Sequence, residues 1–150
     1  MIYIFDIDGT IANLEHRLHF IQQKPSDWPA FFAACGDDEP IHDMFSLARI
    51  IADKNETVLV SGRSDECREQ TMAWIGKHKF PAPGRKIFMR KAGDHREDWV
   101  VKSELLDQLI VEWGVPKHFQ IAGIFEDRQQ VVDMYRARGL RVFQVAEGKF

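Results

Sequence analysis

A chain of 150 residues, 45% hydrophobic and 29% charged, has the length and make-up of one globular domain with a sizeable core. Its net charge of −3 excludes a global basic field that would draw in nucleic acid, so anion binding must come from local patches. No apolar run reaches the length of a bilayer span, and no basic segment precedes an apolar one at the N-terminus, which predicts a cytoplasmic protein that does not engage membranes.

In chain order, Ile2–Phe5 is a β-branched and aromatic run that predicts a strand covered on both faces. It leads into Asp6-Ile7-Asp8-Gly9-Thr10. If the strand alternation continues, Asp6 and Asp8 share one side. Carboxylates so close repel unless a cation lies between them or one holds a proton, and hard oxygen ligands favour Mg²⁺ as that cation. Residues 13–40 show no clear strand; Trp28, Phe31 and Phe32 are expected to pack inward, with a small lid over the site as the alternative. Ile41–Lys54 has helical spacing, and Thr57–Val60 reads as a strand. Ser64 caps the following helix, with Asp65 and Glu66 in its first turn. Lys86–Met89, Gln120–Phe125 and Arg141–Val145 read as strands, and helices over Trp99–Trp113 and Arg128–Arg138 separate them. Strands alternating with helices predict an α/β fold with a parallel sheet, as a single domain over 1–150. Cys35 and Cys67 lack metal-ligand spacing and are expected to be reduced, structural thiols.

Open α/β sheets bind ligands beyond the carboxyl ends of their strands. Asp6 and Asp8, then Ser61-Gly62-Arg63, then Glu126-Asp127-Arg128 fall at those positions. A hydroxyl, a glycine and a guanidinium before a helix N-terminus suit an oxyanion, and the acidic pair adds carboxylate for a cation. Lys102 follows Asp98 at i+4, so the two pair on one helix face. Between Lys77 and Arg96 the chain carries Lys77, Lys79, Arg85, Lys86, Arg90, Lys91 and Arg96 against Asp94 alone. Such a stretch can follow a phosphate backbone, although charge runs are usually solvated faces; His78 and His95 read as surface residues.

Asp6–Thr10, Ser61, Lys102 and Glu126-Asp127 resemble, in order, the four motifs of the haloacid dehalogenase superfamily of phosphotransferases. A closer likeness covers nearly the whole chain. Val60–Arg63, Met89-Arg90, Gly93–Arg96, Asp98–Glu104, Asp127–Val132 and Gln144–Phe150 are similar to the 3′-phosphatase domain of bacteriophage polynucleotide kinase. That resemblance implies a three-layer Rossmann-like parallel sheet with at most a small cap over 13–40. It matches Asp6 to a nucleophile that forms an aspartyl-phosphate and Asp8 to a general acid/base. Ser61 and Lys102 match the pair that holds the phosphate, with Thr10, Gly62 and Arg63 beside them. Asp6, the main-chain carbonyl of Asp8, Glu126 and Asp127 match the Mg²⁺ ligands, and Asp98 the acid that steadies Lys102 or the metal shell. Arg17, Arg90 and Arg128 are expected around the scissile phosphate and its nucleotide.

The reaction so implied is Mg²⁺-dependent removal of 3′-phosphate from DNA or RNA ends. Free nucleoside monophosphates are the second candidate substrates, and a non-catalytic phosphate- or nucleic-acid-binding module is the third reading. No Gly-x-x-x-x-Gly-Lys-Ser/Thr loop is present, so phosphorylation of a 5′ end would fall to a separate kinase, with a ligase as the other expected partner. Glu126 stands where the phage pattern has Asp, and the stretch after Arg63 is shorter, which leaves the preferred substrate open.

Overall fold

Ile2–Phe5 forms β1 with the bounds its sequence predicts, and its alternation sorts the core. Ile2 and Ile4 pack with Val101, Leu105 and Leu109, whereas Phe5 packs with Phe45, Trp74 and Phe80 on the other face. The computed structural model describes residues 1–82, 87–114 and 120–148. After β1 come β2 (Ala12–Asn13), the short helices α1 (His19–Gln22) and α2 (Trp28–Ala33), β3 (Glu39–Pro40) and α3 (His42–Ala52). Then follow β4 (Glu56–Ser64), α4 (Arg68–His78), β5 (Ile87–Arg90), α5 (Asp98–Glu112), β6 (Ile121–Glu126), α6 (Gln129–Ala137) and β7 (Val142–Gln144).

The main sheet has the order β5-β4-β1-β6-β7, with every pairing parallel. Side chains of α3 and α4 cover one face and those of α5 and α6 the other, giving the expected three layers. The chain runs outward from β1 through β4 to β5, then returns to β6 on the far side of β1. That reversal leaves a crevice at the carboxyl end of β1, where such sheets bind ligands. No helix among the described residues is long and apolar enough to cross a membrane.

Residues 13–40 differ from expectation. Their ends are strands: Ala12 pairs with Pro40 and Asn13 with Glu39, antiparallel, so the insertion leaves and rejoins the domain through a two-stranded neck. Two-residue strands carry no periodicity, so the sequence does not display them. Within the insertion Leu14, Leu18 and Phe31 make a small separate core against Phe20, Ile21 and Phe32. Phe31 is buried as expected, but Trp28 is 48% exposed. The insertion is therefore a small cap with a core of its own.

β4 continues past Val60 to Ser64, with its register against β5 slipping between Ser61 and Ser64. The Ser64 hydroxyl accepts from the Glu66 N–H as predicted, but the turn it caps is a 3-10 turn, Asp65–Cys67, that feeds into α4. Cys35 and Cys67 are both free thiols and both buried.

Candidate active site

Asp6 stands directly after β1, and its N–H still donates to the Phe125 carbonyl at 3.0 Å, which fixes it at the seam between β1 and β6. Strand alternation stops there. The Ile7 carbonyl accepts from the N–H groups of Thr10, Ile11 and Ala12, and Gly9 turns with φ +81°, a left-handed conformation that suits glycine. Asp6 and Asp8 line one cavity of about 740 Å³, yet their carboxylates have separate partners.

Lys102 reaches Asp6 Oδ1 and Glu126 Oε2, each at 2.8 Å, and Asp98 Oδ2 at 3.4 Å, the last being the i,i+4 pair expected on α5. Burial alone would favour a neutral lysine, but Asp6, Asp98 and Glu126 outweigh it and hold the ammonium charged. Asp6, Glu126 and Asp127 bring ligand oxygens within 4.8 Å of one another. Burial, then the facing Glu126, pushes Asp6 well above the usual carboxylate range. Burial pushes Glu126 up to about 7, and burial together with Asp6 does the same to Asp127.

One lysine does not balance that much carboxylate. Asp127 Oδ1 is buried without a hydrogen-bond partner among the described residues, as is Thr10 Oγ1. An orphaned carboxylate oxygen beside two further carboxylates is a donor set that fits a hard divalent cation such as Mg²⁺. Glu126, despite its extra methylene, belongs to this cluster; its Oε1 also accepts from the Arg128 N–H at 3.2 Å.

Asp8 is held differently. Its Oδ1 accepts from Arg17 Nη2 at 2.6 Å and from Arg63 Nε and Nη2 at 2.9 and 2.6 Å. Both guanidiniums also donate to Asp38, whose other neighbour is His16 at 2.8 Å. Burial would raise Asp8, but Arg63 and then Arg17 outweigh it and lower the carboxyl to about 2. Of the two paired carboxyls Asp8 is thus the lowered one, and the raised carboxyls of the site are Asp6, Glu126 and Asp127.

Arg17 and Arg63, expected against the phosphate or its nucleotide, are absent from the cavity wall. They are 0% and 1% exposed, and a guanidinium removed from water must be fully paired. Asp8 and Asp38 supply that pairing, while the Phe31 carbonyl and the Thr71 hydroxyl accept further N–H groups. Their place is against Asp8, off the cavity wall. Asp38 was missed by sequence reasoning. The available signal was indirect, since arginines bound for burial need an acid that the sequence does not point to.

Ser61 and Thr10 are fully buried and absent from the cavity wall; the Ser61 hydroxyl instead accepts from the Arg63 N–H at 3.2 Å. Gly62 does line the cavity, with Arg90, Arg128, Asp98 and Lys102. Arg90 donates to the Gly62 carbonyl at 2.8 Å and to Asp98 Oδ1 at 3.0 Å, and Arg128 Nη1 lies 3.2 Å from Asp98 Oδ2. Asp98 is thus a hub for Lys102 and both arginines. A Cβ on Gly62 would overlap its Oδ1, and a Cβ on Gly9 would overlap the Asp127 carboxylate. Gly62→Ala is expected to displace Asp98 and lower kcat/KM for phosphate release roughly 10- to 100-fold, read in a steady-state assay.

Among its described residues, the basic stretch does not form one patch. Arg90, Lys91 and Arg96 line the cavity together with His95, but Arg96 is paired with Asp94 and Glu104 at 2.8 and 2.7 Å. Lys77 lies in the last turn of α4, about 15 Å along the helix from the end that reaches the cavity, and Lys79 lies beyond it. Arg85 and Lys86 fall outside the described residues. α2 also lines the cavity, through Trp28, Pro29, Phe31 and Phe32.

The profile of the family described as polynucleotide kinase PNKP phosphatase domain matches residues 1–150. The chain belongs to this family. Its fold is that of the haloacid dehalogenase-type phosphatases. The "Putative bifunctional polynucleotide kinase/RNA ligase" of Autographa californica nuclear polyhedrosis virus is 28% identical over 133 residues, which make up 87% of this chain and 17% of the viral protein. Chains in two structures of the Pnkp1/Rnl/Hen1 complex, one described as an RNA repair complex, match with TM-score 0.74 and 26% identity over 99% of this chain. The match takes in 43% and 46% of those chains, so this phosphatase domain spans less than half the length of these relatives. The class C acid phosphatase of Bacillus anthracis, solved with tungstate bound, shares the fold at TM-score 0.65 and 13% identity, over 99% of this chain and 67% of its own.

Proposed function

We propose that this phosphatase domain removes 3′-phosphate groups from DNA or RNA ends through an aspartyl-phosphate on Asp6, with Mg²⁺. The observation that carries the reading is one cavity holding two carboxylates in opposite electrostatic settings. Asp6 sits against a buried, charged lysine, and Asp8 is clamped by two buried arginines.

Asp6 attacks phosphorus, forming a carboxylate O–P bond as the P–O bond to the sugar 3′-oxygen breaks. Asp8 hands a proton to that leaving oxygen, then takes one from the water that opens the aspartyl-phosphate and frees Asp6. Asp8 is ionised in the free domain, so the proton it hands over arrives with the phosphomonoester bound as its monoanion, whose charge raises the proton affinity of Asp8. Lys102 neutralises charge on the transferred oxygens, while Asp98, braced by Arg90 and Arg128, keeps Lys102 in place. Asp6, Glu126, Asp127 and the Asp8 carbonyl would hold Mg²⁺, which supplies further neutralisation of those oxygens. The relatives' names, a kinase/ligase and an RNA repair complex, favour a kinase or ligase as partner, since joining a healed end requires a 5′-phosphate and a ligation step.

The test is phosphate release in Mg²⁺ from a 3′-phosphorylated oligonucleotide and from 3′- and 5′-mononucleotides. The oligonucleotide is expected to be favoured at least about tenfold in kcat/KM, with activity lost to chelator and restored by Mg²⁺. Turnover confined to mononucleotides would instead assign the domain to nucleotide breakdown. Release from none of them would leave a binding module.

A further inference from the structure

The cavity lining joins two unlike sets of residues: Arg90, Lys91 and His95, and Trp28 and Phe32 of α2. Trp28 is 48% exposed and is not one of the residues that close the cap core of Leu14, Leu18 and Phe31. Trp28 thus packs on Phe31 and Phe32 and leaves about half of its surface open where it lines the cavity.

Its position is held firmly. The Asp27 side chain accepts from the Ala30 N–H at 3.0 Å and Pro29 occupies the first turn, so the start of α2 is capped and stiffened. Phe31 meets the indole edge-on, with centroids 5.7 Å apart, and Phe32 backs it at 5.9 Å. The Phe31 ring also carries the Arg17 guanidinium 4.2 Å from its centroid, and Arg17 is the group that holds Asp8. Trp28 is therefore registered to the acid/base through two contacts, Phe31 and Arg17.

A ligand that satisfies both sets of residues has a flat apolar part joined to an anionic part, as a nucleotide does. We propose that Trp28 is a specificity-determining residue whose ring stacks on the base of the nucleotide bearing the scissile 3′-phosphate. This rests on the reading of the domain as a polynucleotide 3′-phosphatase. Stacking tolerates any base, so the residue would confer preference for a nucleotide end without sequence preference.

The test uses the full chain and two oligonucleotides that differ only at the 3′-phosphorylated terminus, one with a normal base and one abasic. Wild type is expected to prefer the base-bearing end about tenfold, mainly through KM. Trp28→Ala is expected to abolish that preference and Trp28→Phe, which keeps a ring in place, to retain most of it. In an Asp6→Asn background, indole fluorescence is expected to be quenched by the base-bearing oligonucleotide, and Trp28→Phe to remove most of the quenching. A preference that survives Trp28→Ala, or its absence in wild type, would overturn the assignment while leaving the phosphatase reading intact. No turnover of either oligonucleotide by wild type would overturn the phosphatase reading itself.

Discussion

Asp6→Asn is expected to lower phosphate release by roughly 10³- to 10⁶-fold while changing stability by no more than about 1 kcal/mol. The amide has almost the same shape but is no nucleophile. Its effect on the fold is small for a reason visible in the charges around it. Asp6 is a carboxylate that burial and Glu126 already disfavour, so neutralising it relieves repulsion even as Lys102 loses one of its three acidic neighbours. The measurement is single-turnover phosphate release with acid-quenched detection of phosphoprotein, alongside thermal unfolding. Retained turnover would remove Asp6 from the role of nucleophile. A large drop in Tm would instead make it a structural residue.

The second large effect is expected in stability. Arg63→Ala leaves Asp8 and the fully buried Asp38 to share Arg17, and breaking a buried pair from one side costs about 3–5 kcal/mol. In a domain of this size that corresponds to a fall in Tm of roughly 10 °C. Arg63→Lys is not expected to restore it, since an ammonium does not reproduce a fork shared between two carboxylates. The sign of the pH dependence follows from Asp8, whose carboxyl is lowered from 3.8 to about 2 in the folded domain. The stabilisation is present above 3.8 and is lost as pH falls through about 2. Removing Arg63 returns Asp8 toward its ordinary value, so the acid limb of the stability curve between those two values flattens. An unchanged Tm in Arg63→Ala would show that the clamp contributes nothing to the fold.

Much of this architecture was written locally and could be read locally. β1 announces itself as an apolar run, Ser64 as a cap, and Asp98 with Lys102 as neighbours one helical turn apart. The acidic loop after β1 and the Glu126-Asp127 pair come together because parallel strands align their carboxyl ends, a consequence of fold class rather than of either segment alone. What stayed hidden depends on long-range pairing. Arg63 meets Asp8 across 55 positions and Arg17 meets Asp38 across 21, and nothing in the local spacing of either arginine distinguishes a ligand-binding guanidinium from one buried behind an acid. The basic run between Lys77 and Arg96 misleads for the converse reason. Among its described residues, Lys77 and Lys79 stand at the C-terminal end of α4, whereas Arg90, Lys91 and Arg96 line the cavity.

The cap joins the domain through the two short strands of its neck, and the same segment contributes both Arg17 and Asp38 to the group around Asp8. A cap so held is expected to stay in place, because swinging it aside would part Arg17 and Asp38 from Asp8 and Arg63. A fixed lining, Trp28 included, would then be what an incoming phosphorylated end meets.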